Sequence, residues 1–141
     1  MTATKRPKVL LAGLFLAASV SGASAEAISL HALLVGGTNI PKTASEGFGE
    51  AQFTYDGATR RLEYYVSYDG VAPTKIDLHG PAGPAETAAA LLTIPMSGSP
   101  ISGAATLTPE QADLLLAGKL YIDMHSQAYA DGEVRGQIRK Q

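Results

Sequence analysis

From Ile28 onward, short apolar-alternating runs follow one another along the chain, separated by turn dipeptides, and this pattern restricts the fold more than any other feature. Side chains alternate across a strand with period two, so a succession of such runs builds an antiparallel sandwich or barrel. Ile28 to Val35 reads as a first strand with Ile28, Leu30, Ala32 and Leu34 on one face. Phe48 to Tyr55 and Arg61 to Tyr68 flank Asp56-Gly57, a pair suited to the positive φ of a type I′ hairpin turn. Further strands are expected over Thr74 to His79, Ala88 to Ile94, Ile101 to Leu107, Lys119 to Ser126 and Glu133 to Arg139. Thr108 caps a helix with Pro109 at its first position and Gln111 three residues after the cap, so a short helix should run from Pro109 to Ala117 and end at Gly118. The expected architecture is an all-β, antiparallel Greek-key sandwich of seven or eight strands with one short helix.

The first 25 residues read as a secretory signal: Lys5, Arg6 and Lys8 form a basic start, Val9 to Val20 an apolar stretch, and Ala23-Ser24-Ala25 a cleavage site before Glu26. The apolar stretch is short for a membrane span, which needs about 20 residues. Residues 26–141 then form one domain in the periplasm or outside the cell, with no transmembrane anchor in the mature form. Of 11 basic and 13 acidic residues the leader takes three basic and no acidic ones, leaving 8 against 13 and a formal charge of −5. Nucleic acid is an unsuitable partner for that balance, because a phosphate-binding surface needs clustered Lys and Arg. Without cysteine there is no disulfide framework, so stability must come from the core and from any bound ligand.

Ile76-Asp77-Leu78-His79 recurs as Ile122-Asp123-Met124-His125. In a strand each Asp-x-His puts carboxylate and imidazole on one face and the apolar pair on the other. If the two strands pair, Asp77, His79, Asp123 and His125 share a patch. Imidazole and carboxylate are both ligands for zinc, copper or iron, and a site needs three or four of them converging at about 2 Å from the ion. The alternative is that each histidine hydrogen-bonds a neighbouring carboxylate or carbonyl and holds the Gly80-Pro81-Ala82-Gly83-Pro84 loop against the closing strands. His31 lies opposite the apolar stripe of the first strand and is expected to face solvent.

A second polar motif, Gly132-Glu133-Val134-Arg135-Gly136-Gln137, places Glu133, Arg135 and Gln137 on one face of the last strand, as a structural polar network. Arg135 is expected to hold a carboxylate, with Asp123 or Asp77 in reach. Nucleophilic catalysis finds no support: there is no cysteine and no Gly-x-Ser-x-Gly elbow, and Ser126 next to His125 points to the other face. Tyr65 and Tyr121 are expected on outer faces.

Leu34-Val35-Gly36-Gly37-Thr38-Asn39-Ile40-Pro41, Ile76 to Pro81, and Leu120 to Ser126 followed by Gly132 to Ile138 resemble the CHRD domain, the module named after chordin and also found in bacterial exported proteins. The last segment is similar to the family pattern Leu-Tyr-Val-Asn-Val-His-Thr, a short loop, then Gly-Glu-Ile-Arg-Gly-Gln. The resemblance implies an immunoglobulin-like or superoxide-dismutase-like sandwich, with no general activity established for the family and binding as its supposed role. The chain departs from the pattern at Asn39 for Glu, at Asp77 for the first histidine of His-x-His, and at Asp123 for Asn. Two aspartates make a site harder and more zinc-like than copper(I)-like. The expected function is therefore a non-catalytic exported module acting on an unknown protein or small ligand, or in envelope architecture. The second reading is a copper or zinc protein using His79 and His125.

Overall fold

A computed structural model describes Thr2 and residues 25–141. The secretory leader expected over residues 1–25 lies, apart from Thr2 and Ala25, outside the described residues. Among the described residues, no helix is long and apolar enough to cross a membrane.

Among the described residues the strands are β1 (Ile28–Val35), β2 (Phe48–Asp56), β3 (Arg61–Asp69), β4 (Pro73–His79), β5 (Ala90–Thr93), β6 (Ile101–Thr106), β7 (Tyr121–Ser126), β8 (Val134–Gln137) and β9 (Arg139–Lys140), with one α-helix, α1 (Pro109–Leu116), and a 3-10 turn over Gly36–Thr38. They form one antiparallel sheet in the order β5-β4-β7-β8-β1-β2-β3-β6, with β9 pairing on β1. The chain therefore crosses three times between the two halves of the sheet, from β3 to β4, from β5 to β6, and from β6 through α1 to β7. The sheet curls around one core, as an all-β sandwich. A Cβ on Gly49 of β2 would sit 3.1 Å from Met124 Cε of β7, three places away in the sheet, so the two halves face each other.

Period-two alternation decides which side of each strand enters that core. Leu30, Ala32 and Leu34 of β1 are at most 1 % exposed, while His31 and Leu33 between them are exposed. Phe53, Leu62, Val66, Ile76, Leu78, Ile122, Met124, Val134 and Ile138 complete the layer, and Ala112 and Leu115 of α1 join the same cluster. The capping box forms: Gln111 N donates to Thr108 Oγ1 at 3.1 Å and Thr108 N to Gln111 Oε1 at 3.0 Å. Gly118, at φ +70°, ends the helix, and Lys119 N bonds back to Leu114 O at 2.9 Å.

Three local expectations are corrected. Asp56-Gly57 does not form a two-residue type I′ turn: Asp56 pairs with Arg61, leaving a four-residue loop in which Arg60 takes the positive φ of 56°. Asp56 Oδ1 accepts from Ala58 N at 2.8 Å and Thr59 N at 3.3 Å, a local bond that competes with the tighter turn. The strand expected from Ala88 starts only at Ala90, because Ala88 O is occupied by side chains and Ala89 O by Gly80 N. The strand expected over Glu133 to Arg139 breaks at Ile138, whose N–H goes to Leu120 O at 3.0 Å.

Candidate metal centre

β4 and β7 pair in a register that sets Asp77 opposite Asp123, His79 opposite Tyr121 and Lys75 opposite His125. Residues opposite one another share a face, so all six side chains stand on the side away from Ile76, Leu78, Ile122 and Met124. That side would be solvated in an open sheet. Here residues 80–89 fold back across it, and the chain is buried on both sides: Asp77 is fully buried, Asp123 5 % exposed and His79 9 %.

Local sequence explains the fold-back. A Cβ on Gly80 would lie 2.8 Å from Lys119 O and 2.4 Å from Leu120 Cδ2, so the close passage requires glycine. A bulge interrupts the β4–β5 pairing there, since Leu78 pairs with Leu92 but His79 with Ala90. Side chains of the face then tie the covering loop down. Ala88 O accepts from His79 Nδ1 at 2.9 Å and from the Tyr121 hydroxyl at 3.2 Å, Ala82 O from Gln137 Nε2 at 2.8 Å, and Gly83 O from Arg135 Nη2 at 3.0 Å.

The two histidines are arranged alike. His79 anchors Nδ1 on Ala88 O, and His125 anchors Nδ1 on Ala130 O at 2.8 Å. Both turn Nε2 to the same atom, Asp123 Oδ1, at 2.9 Å for His79 and 3.1 Å for His125. Asp77 Oδ1 accepts from Thr93 Oγ1 at 2.6 Å, and its Oδ2 lies 3.9 Å from His79 Nε2. Lys75 Nζ approaches Oδ2 to 2.7 Å, but as an ion-pair contact out of hydrogen-bond alignment, so this buried oxygen has no aligned donor. One ligand atom from each of Asp77, His79, Asp123 and His125 lies within 4.8 Å of every other.

Charge acts on this cluster in two directions. Burial disfavours ionisation of Asp77, but contact with Lys75, the Thr93 hydroxyl and the His79 charge outweigh it and hold the carboxyl below its usual range. Burial likewise disfavours protonated His79, yet Asp123, the Ala88 carbonyl and Asp77 raise it above the ordinary histidine value.

Arg135 holds no carboxylate. Its guanidinium lies over the Tyr121 ring, 3.5 Å from the centroid, and among the described residues it takes part in no ion pair. Tyr121, on the strand between, also stacks parallel to His79 with centroids 4.8 Å apart. Tyr121 is 3 % exposed rather than on an open outer face, because residues 80–89 cover it. Tyr65, at 46 %, is outward as expected. Glu133 lies apart from Arg135's contacts, its Oε1 accepting from Ser45 Oγ at 2.6 Å. His31 is exposed and far from any role in the cluster.

Lys75, Tyr121 and Thr93 are members of the cluster that sequence reading did not single out. Two of them carried a signal: Lys75-x-Asp77-x-His79 and Tyr121-x-Asp123-x-His125 continue the period-two spacing one step further. Thr93 carried none, since only the β4–β5 register sets it opposite Asp77.

A family model for the CHRD domain matches residues 30–138. The chain belongs to the CHRD-domain family. No curated protein and no solved structure matches it. The CHRD match runs from Leu30 in β1 to Ile138 between β8 and β9, so the whole His/Asp cluster and its covering loop lie inside the family's domain.

Proposed function

We propose that this CHRD domain is a binding module whose ligand is a divalent transition-metal ion, zinc(II) or copper(II), held by His79 Nε2, His125 Nε2 and one carboxylate oxygen each from Asp77 and Asp123. The observation that carries the reading is the shared orientation of the histidines. Each spends Nδ1 on a backbone carbonyl and turns Nε2 to a common point, the tautomer and second-sphere bond of metal-binding imidazoles. Dimensions support it. Ligand atoms around a tetrahedral zinc at about 2.0–2.1 Å are about 3.3–3.4 Å apart. Three of the separations here are 2.9, 3.1 and 3.9 Å, and the largest of all is 4.8 Å, so small side-chain rotations suffice.

A second reading rests on the raised pKa of His79. In it a protonated imidazole donates to both Asp123 and Ala88 O, and the cluster is a metal-free clasp on residues 80–89. Calorimetric titration of the chelator-treated protein with zinc and copper(II), with elemental analysis of untagged protein, separates the two. Near-stoichiometric uptake supports the metal module, and absence of uptake at neutral pH leaves the clasp.

The exported location belongs to the same proposal. It rests on the basic, apolar and Ala-Ser-Ala segments of residues 1–25, and an intact mass corresponding to a chain beginning at Glu26 tests the cleavage, while a single cooperative unfolding transition of residues 26–141 tests the single domain.

A further inference from the structure

On the same outer face, beyond Arg135, a groove of about 730 Å³ runs between β1, the segment around Gly37 to Lys42, and Pro84 and Ala85 of the covering loop. Its volume falls within the roughly 300–1,000 Å³ of small-molecule sites. Leu33, Val35, Ile40 and Pro41 give it an apolar wall, and Leu33 at 61 % exposed and Ile40 at 37 % are two of the few large apolar side chains left open to water.

The charges around this wall are all of one sign. Lys42, Arg135 and Arg139 line the groove together with His31, and among the described residues no aspartate or glutamate does, although the chain as a whole has more acids than bases. Register places Arg135 beside Val35 and Arg139 beside His31, so cations stand at both ends of the apolar Leu33 segment. Among the described residues none of the three takes part in an ion pair. Arg135 is 2 % exposed, yet its polar contacts are a single carbonyl, Gly83 O, and the face of Tyr121. Asp123 faces Arg135 across the β7–β8 pairing but forms no ion pair with it, and a buried cation without a direct counter-anion is costly, so an anionic ligand group would offset that cost.

We propose that this groove binds a small anionic amphiphile, an apolar chain carrying a carboxylate, with the chain along Leu33, Val35 and Ile40 and the carboxylate on the groove's cations. This site is separate from the His/Asp cluster and does not need a metal. Its specificity comes from the pairing of an open apolar wall with an acid-free cationic lining, which rejects both uncharged and cationic amphiphiles.

The test uses the purified chain in EDTA, which removes any contribution from a bound metal. cis-Parinaric acid, a fluorescent fatty acid, is titrated below its micellar concentration, then displaced with laurate, dodecanol or dodecyltrimethylammonium. Saturable enhancement is expected, reversed by laurate at least about tenfold more effectively than by the other two. The double variant Lys42→Glu/Arg139→Glu, and separately Leu33→Asp, change only exposed positions and should each weaken binding at least about tenfold with an unchanged thermal midpoint. Absence of saturable enhancement would overturn the proposal. So would equal displacement by dodecanol, or wild-type affinity in both variants.

Discussion

His79 and His125 meet on one oxygen of Asp123 although they sit at opposite ends of the β4–β7 pairing, His79 facing Tyr121 and His125 facing Lys75. Four residues of register separate them, about 13 Å along an antiparallel pair. The ring centroids are nonetheless 6.2 Å apart. Two Asp-x-His segments running antiparallel with their aspartates opposite one another generate a near-symmetric arrangement, carboxylates in the middle and imidazoles leaning in along the diagonal.

Removing either imidazole should abolish most metal affinity. His79→Ala and His125→Ala are each expected to weaken zinc binding by about a hundredfold or more, about 2.7 kcal/mol. A ligand that binds only the folded state at a hundredfold excess over Kd adds a similar amount to stability. The thermal midpoint of the wild type should therefore fall on adding EDTA, while the double variant should not respond. Equal responses of the two proteins to EDTA would exclude these histidines as ligands.

The pH dependence differs between metal-free and metal-bound protein. His79 is raised above its ordinary 6.5 in the fold, so its contribution is fully present below that value and is lost as pH rises through the folded pKa. Asp77 is lowered below 3.8, so its contribution is present above that value and is lost as pH falls through the folded pKa. In EDTA, denaturation midpoints should be highest between roughly pH 4 and 6.5 and decline on either side. Zinc affinity should instead rise as pH passes through the raised pKa of His79, because its imidazole must lose a proton to bind. Urea midpoints across pH 3–8, with and without zinc, measure both slopes.

Tyr121 separates stacking from hydrogen bonding. Tyr121→Phe keeps the ring between His79 and Arg135 but loses the bonds with Ala88 N and O, and should cost about 0.5–1.5 kcal/mol. Tyr121→Leu removes the ring as well and should cost more, with a further loss of zinc affinity as His79 is freed to reorient. Urea denaturation of both variants and zinc titration of the leucine variant provide the comparison.

Gly80→Ala tests the fold-back. Its Cβ would meet backbone Lys119 O at 2.8 Å, so the loop must shift, at an expected cost of about 1–3 kcal/mol. Hydrogen exchange should quicken at the Gly80 and Ala82 amides, which bond to Ala89 O and Lys119 O. Unchanged exchange there would show that the loop tolerates the methyl group.

Alternation along single strands was legible without tertiary information: Ile28, Leu30, Ala32 and Leu34 turn inward because period two is a property of the extended backbone itself. The helix was equally local, since Thr108, Pro109, Gln111 and Gly118 carry its cap, first turn and stop within one segment. The chemistry of Asp77, His79, Asp123 and His125 also stood in the sequence, as two repeats with period-two spacing.

Nothing local could settle which partners those side chains take. Arg135 faces Asp123 by register and was expected to bind it, but the ring of Tyr121 and Gly83 O take the guanidinium instead, a choice made by a loop 52 residues away in sequence. The turn after Asp56 and the break at Ile138 depend likewise on competing bonds, to Ala58 and Thr59 in the first case and to Leu120 in the second. The sequence by itself determined the strands, the helix and the faces, because backbone geometry repeats over a few residues. Only the tertiary structure decided that residues 80–89 close over the outer face, because burial of Asp77 and His79 depends on long-range contacts that no local pattern encodes.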